Sequence, residues 1–110
     1  DILRGQWGFK HLVVSDCGAV TDFFTTHKVS SNATHAAAKS ILAGTDVECV
    51  WEGYAYQKLP EAIKMGLITE KVLDTSLRKV LEGRFALGEM DDDSEVNWTQ
   101  TPISVVNNEK

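Results

Sequence analysis

Several things are scarce in this sequence, and each scarcity narrows what the protein can be. Cysteine occurs twice, at Cys17 and Cys49, too rarely for a disulfide framework and without zinc-type spacing to each other or to the three histidines. The two read as free thiols in a core. No apolar run approaches the roughly 20 residues that a membrane-spanning helix needs, and no internal repeat or low-complexity tract appears. Positive charge is short as well: 11 basic against 16 acidic side chains leave a net charge of −5. That balance repels phosphate backbones and anionic lipid, so nucleic acid and membrane are excluded as expected partners. The chain opens Asp1-Ile2-Leu3-Arg4, with neither an initiator Met nor a basic-then-apolar signal segment. It reads as a piece of something longer, and its start says nothing about compartment.

What is present is ordinary for a folding chain, with 43% hydrophobic and 25% charged residues in 110, enough for one domain at most. Residues 9–15 run Phe-Lys-His-Leu-Val-Val-Ser, and the apolar centre Leu12-Val13-Val14 does not alternate. A strand buried on both faces reads this way, and such strands belong to parallel sheets. Asp16-Cys17-Gly18 ends it. A polar stretch over 21–32 leads to Thr34, a cap for a short helix through Ala36-Ala37-Ala38 that stops at Gly44. Residues 45–50 form a second, shorter strand, and the β, α, β order is that of a parallel crossover unit.

Beyond it, Leu59, Ala62 and Ile63 sit at helical spacing up to Gly66, with Pro60 in the first turn or breaking the helix. Thr69 caps the strongest periodic signal, Val72, Leu73, Leu77, Val80, Leu81 and Phe85 at steps of three and four, ending near Gly88. That stripe reads as core. After Met90 the run Asp91-Asp92-Asp93 and the tail to Lys110 show no period, which predicts a linker or an extended wrapping segment. A calcium loop there would need a Gly at its sixth position and a Glu at its twelfth, and has neither. The sequons at Asn32 and Asn97 are short enough to arise by chance.

Two parallel strands and three helices cannot close a sheet. As an α/β fragment of a (β/α)₈ TIM-type barrel, which needs about 250 residues, they would supply roughly the last two strands and their helices, plus a linker. In such folds reactive groups stand at the carboxyl ends of strands. Asp16 has that placement, although an Asp after an apolar strand also serves as a turn former or helix cap. His27 lies in the loop just past the strand end, where it either reaches a ligand or is simply solvated. His35 and His11 carry no functional reading. Asp46 and Glu48 share one side of the second strand by its period and read as structural. Trp51, Tyr54 and Tyr56 make an aromatic turn at the top of that strand, where they either stack on a sugar or pack a core. Nothing in the residues calls for a metal or a cofactor.

The string Leu3-Arg4-Gly5-Gln6-Trp7-Gly8-Phe9-Lys10-His11-Leu12-Val13-Val14-Ser15-Asp16-Cys17-Gly18-Ala19-Val20 resembles the nucleophile region of glycoside hydrolase family 3. His35-Ala36-Ala37-Ala38 through Ala43-Gly44-Thr45-Asp46-Val47-Glu48-Cys49 resembles that family's next helix and final barrel strand, and Leu73-Asp74 through Arg84-Phe85-Ala86-Leu87-Gly88 its closing helix. Three blocks in the family's order make residues 1–90 similar to the C-terminal portion of its barrel domain, with 91–110 as an acidic linker towards a second domain. The resemblance implies a retaining β-glycosidase of β-glucosidase or β-xylosidase type, acting on terminal β-linked sugars with no cofactor, in a periplasmic or secreted parent. It also implies that Asp16 is the nucleophile.

A retaining mechanism needs an ionised carboxylate and, about 5 to 5.5 Å away, a protonated partner. In the family that partner is usually a Glu beyond the linker, and nothing here matches it. By the same resemblance the sugar-gripping Lys-His and Arg-Asp residues lie on earlier strands. Cys17 departs from the family's commonest pattern, a Trp that walls the sugar site; Cys17 and His27 are the candidate sugar contacts. As a nucleophile Cys17 lacks a neighbouring base, so packing is its expected role.

Two other classes compete with this reading. A non-catalytic interaction module would have no need to keep Asp16. A signalling domain phosphorylated at a strand-end Asp would need about five strands and an acidic cluster near the first. The open strand edges and apolar helix stripes further predict that the chain forms a homo-oligomer, most simply a symmetric dimer.

Overall fold

The computed structural model describes residues 2–51 and 54–107. The outer end of the expected tail, 108–110, and Glu52 and Gly53 of the aromatic turn lie outside the described residues.

A five-residue π-helical turn, Ile2–Gln6, leads into the first extended segment. Then come helices α1, Ala19–Thr25, and α2, Ala33–Ala43; a 3₁₀ turn, Ala55–Lys58; α3, Leu59–Lys64; and α4, Glu70–Ala86. Three short 3₁₀ turns follow, Asp93–Glu95, Asn97–Gln100 and Ile103–Val105.

The two expected strands are present only as a parallel pairing one bridge long, Val14 with Val47. Val13 C=O accepts from Val47 N–H at 3.1 Å, and Ser15 N–H donates to Val47 C=O at 2.9 Å. This is the alternation of a parallel ladder, with Val47 bonded to the residues on either side of Val14. Among the described residues neither segment grows into a named strand. A strand buried on both faces draws its length from neighbours on both edges, and among the described residues each segment pairs with the other alone. Val14 is accordingly 52% exposed, although its sequence reads as interior.

α2 is the centre of the core. Ala36 and Ala37 have no exposed surface, and Ala38 and Ile41 are buried beside them. Their short side chains let the backbones of α1, α3 and the 3₁₀ turn approach closely, where Val20, Ala55, Leu59, Ala62 and Ile68 complete the cluster. Asn32, not Thr34, caps this helix: its Oδ1 accepts from His35 N–H at 3.0 Å, while Thr34 is buried in the first turn. α1 was not expected, because the polar residues of 21–32 hide a helical spacing at Val20, Phe23 and Phe24 that packs onto α2.

Pro60 sits in the first turn of α3, where its missing N–H costs no bond. α4 starts and stops as expected, although Thr69 makes no side-chain cap. Its stripe is core only over its first turn. Val72 and Leu73 pack on the cluster, whereas Leu77, Leu81 and Phe85 lie open, Phe85 at 62%. The tail folds back on the end of α4: Val96 is buried over Gly88, and Trp98 Nε1–H donates to Leu87 C=O at 3.1 Å. The radius of gyration, 17.7 Å, exceeds the roughly 13 Å of a compact domain of this length. The apolar surface on α4 is the side-chain counterpart of that extended shape.

Candidate active site

The parallel pairing brings the carboxyl ends of both extended segments to one mouth. On the first, Ser15, Asp16, Cys17 and Gly18 turn the chain from the paired segment into α1. The turn depends on Gly18, which stands at φ +83° as the residue before α1 and which an L side chain would strain. Asp16 C=O accepts from Ala19 N–H at 3.2 Å, so its backbone closes the turn. Its side chain is exposed and makes no hydrogen bond or ion pair among the described residues. Of the two roles the sequence leaves open for Asp16, the backbone takes the turn and leaves the carboxylate free.

Cys17 and Cys49 form a disulfide, with Cα atoms 4.4 Å apart. This corrects the expectation of two free thiols in a core: Cys17 is exposed and Cys49 half-buried. The signal was available. Once the β, α, β order pairs the two segments in parallel, Cys17 and Cys49 fall just past the bridge at the same end, within bonding reach. A thiol nucleophile at Cys17 is thereby excluded in this state.

The remaining candidates separate. Asp46, at the opposite end of its segment from the mouth, is structural. Its side chain is fully shielded; it accepts from Arg4 Nη2 at 2.6 Å, Lys79 Nζ at 2.7 Å and Val13 N–H at 2.9 Å. Burial pushes its carboxyl up, but hydrogen bonds from Lys79, Val13 and Ser76 and the Lys79 charge outweigh that and hold it below the ordinary value.

Glu48 is also structural. It accepts from Ala55 N–H at 3.1 Å and Tyr56 N–H at 2.7 Å, satisfying two free donors at the start of the 3₁₀ turn. Of the three aromatics, Tyr56 belongs to the fold, its hydroxyl donating to Thr45 C=O at 2.7 Å. Trp51, two residues past Cys49 in sequence, is 87% exposed, and Tyr54 is exposed as well. His27 stands in the loop after α1, its backbone tied to Asp22 C=O at 2.8 Å and its imidazole unbonded among the described residues. Among the described residues no group of His, Cys, Asp or Glu is arranged to hold a metal ion.

An exposed carboxylate thus stands at the carboxyl end of the two paired segments, without a side-chain partner among the described residues. The chain belongs to glycosyl hydrolase family 3, whose N-terminal domain is matched over residues 1–82. It is 57% identical over 105 residues to a xylan 1,4-β-xylosidase of Xylanibacter ruminicola, a match covering 96% of this chain and 12% of that protein. A periplasmic β-glucosidase of Salmonella typhimurium is 35% identical, over 84% of this chain and 12% of its own length. Among solved structures, a β-glucosidase from Erythrobacter marinus superposes with a TM-score of 0.78 at 32% identity, covering 84% of this chain and 12% of that one. A family 3 exo-β-xylosidase in complex with a xylobiose aziridine probe does so at 0.70 and 28%, covering 81% and 11%. The chain thus spans about an eighth of the length of the relatives it matches.

Proposed function

We propose that the protein carrying this chain is a retaining β-glycosidase of the xylosidase and glucosidase type, in which Asp16 is the nucleophile. The observation that carries the reading is the exposed Asp16 carboxylate at the paired segments' carboxyl end, within the stretch matched to the family's N-terminal domain and in the block that resembles its nucleophile region. Asp16 attacks the anomeric carbon of a terminal β-linked sugar, and the departing glycosidic oxygen takes a proton from a carboxylic acid. Water then hydrolyses the glycosyl-enzyme, with the same acid now acting as base. That acid and the residues gripping the sugar hydroxyls come from outside residues 1–110, so this chain alone is inactive. Cys17, in its disulfide, and His27 border the sugar site. The name of the 57% identical relative favours xylose as the sugar.

The test is Asp16→Ala in the full-length protein, assayed on aryl β-xyloside and aryl β-glucoside. Because the side chain is exposed and unbonded among the described residues, the fold and the affinity for substrate stay close to those of the unaltered protein, while turnover falls by several orders of magnitude. Turnover above a few per cent of normal would favour a non-catalytic module.

A further inference from the structure

One residue of the second extended segment meets the Asp16 turn three times. Cys49 N–H donates to Ser15 Oγ at 2.9 Å, Cys49 C=O accepts from Gly18 N–H at 2.8 Å, and Cys49 Sγ is bonded to Cys17. Ser15 and Cys17 are the residues on either side of Asp16, and Gly18 is the next one on. The backbone before and after the carboxylate is therefore fixed from one point, while the carboxylate itself is left without a partner among the described residues. A nucleophile needs a fixed backbone. Misplacement by about 1 Å can cost on the order of a hundredfold in rate.

We infer that Ser15 and Cys49 are positioning residues for Asp16, forming a three-point clamp whose third point, the disulfide, can be removed by reduction. The inference rests on the reading of Asp16 as nucleophile. Ser15 Oγ accepts here; without it, the Cys49 N–H loses its partner and the Ser15 side of the turn is held by the Ser15 N–H bond to Val47 C=O alone. Cys17 is exposed in this chain, and a dithiol reductant that reaches it cleaves the bond. Reduction gives two thiols as the reductant closes to its own disulfide, and two hydrogen bonds remain of the clamp.

The experiment uses the full-length protein and measures the rate of glycosylation of the enzyme by an activated 2-fluoro xyloside, with kcat and KM on an aryl xyloside. Ser15→Ala should lower the glycosylation rate roughly ten- to a hundredfold and leave KM within about twofold. Ser15→Thr, which keeps the acceptor oxygen, should stay within about threefold of the unaltered protein. Dithiothreitol should slow the unaltered protein and leave a Cys17→Ser, Cys49→Ser double variant unmoved. The reductant arm needs no substitution in the protein it slows, so it decides the matter even where Ser15→Ala fails to fold.

An adduct on Asp16 formed at the unaltered rate in Ser15→Ala, equal loss in Ala and Thr, or indifference of the unaltered protein to reduction would each overturn the clamp while sparing the nucleophile. Absence of any adduct on Asp16 in the unaltered protein would overturn both.

Discussion

Asp46→Asn tests how the packing holds together, because it changes one charge and little else. The carboxylate it replaces is fully shielded and joins the N-terminal turn through Arg4, α4 through Lys79 and the first extended segment through Val13 N–H. The amide keeps the shape and one acceptor oxygen, but sets its NH₂ against one of the two cations. Removing one partner of a fully buried ion pair costs about 3–5 kcal/mol. Here the cations keep some solvent, 27% for Arg4 and 20% for Lys79, so they partly rehydrate. The expected loss is about 2–3 kcal/mol, or roughly 10–20 °C in Tm for a chain of this size.

Thermal and urea denaturation followed by far-ultraviolet circular dichroism reads it directly. Glu89→Ala is the control, since its pair with Arg84 is about half exposed on both sides and should be worth less than ~0.5 kcal/mol. Acidity supplies an independent check. The Asp46 carboxyl is held below its ordinary 3.8, so its contribution is complete above that value and lost as pH falls through the lower, folded one. The stability gap between the unaltered protein and the Asp46→Asn variant should be full near about pH 6 and close progressively below about pH 4. A loss no larger than that of Glu89→Ala, or a gap unchanged by acid, would show that Asp46 does not hold these three elements together.

Two further outcomes follow from the same contacts. Tyr56→Phe removes the hydroxyl bonded to Thr45 C=O and Ser40 Oγ and should cost about 1–2 kcal/mol. Burial, opposed by the Ser40 hydrogen bond and aided by the Glu48 and Asp46 charges, pushes this phenol from 10.0 up to about 12. The advantage of Tyr over Phe should therefore be complete below pH 10 and disappear as pH rises towards about 12, measurable by denaturation across that range. The open Leu77, Leu81 and Phe85 face should make the isolated chain self-associate at micromolar concentration, and Leu77→Asp should shift sedimentation to the monomer. A monomer that ignores the substitution would show that this face needs no cover.

The sequence was most informative where local chemistry decides the structure. Gly44 and Gly88 mark the ends of α2 and α4, and the periodic stripe finds α4 from Thr69 onward, because caps and periods act within a few residues. The β, α, β order put Asp16 at a mouth, and the observed pairing of Val14 with Val47 agrees with that order. What was missed depends on partners far apart in sequence. The Cys17–Cys49 bond spans 32 residues and follows only once the register of the two segments is known. The convergence of Arg4, Lys79 and Val13 on Asp46 has the same origin, and no pattern around Asp46 announces it. α1 was lost for a different reason: three apolar residues in a run of Thr, His and Ser are too few to outweigh the composition. Strand length was overestimated because apolar runs record the partners a segment is made for, and among the described residues Val14 pairs with Val47 alone.

Everything proposed for the mouth depends on Asp16 being the nucleophile, and covalent trapping decides that point without inference from a variant's residual rate. The full-length protein is incubated with an activated 2-deoxy-2-fluoro glycoside and digested, and the modified peptide is sequenced by mass spectrometry. The expected product is one sugar per protein, attached to the Asp16 side chain and lost on Asp16→Asn. A sugar attached to any other residue, or hydrolysis of the parent glycoside with no trapped adduct, would contradict the assignment.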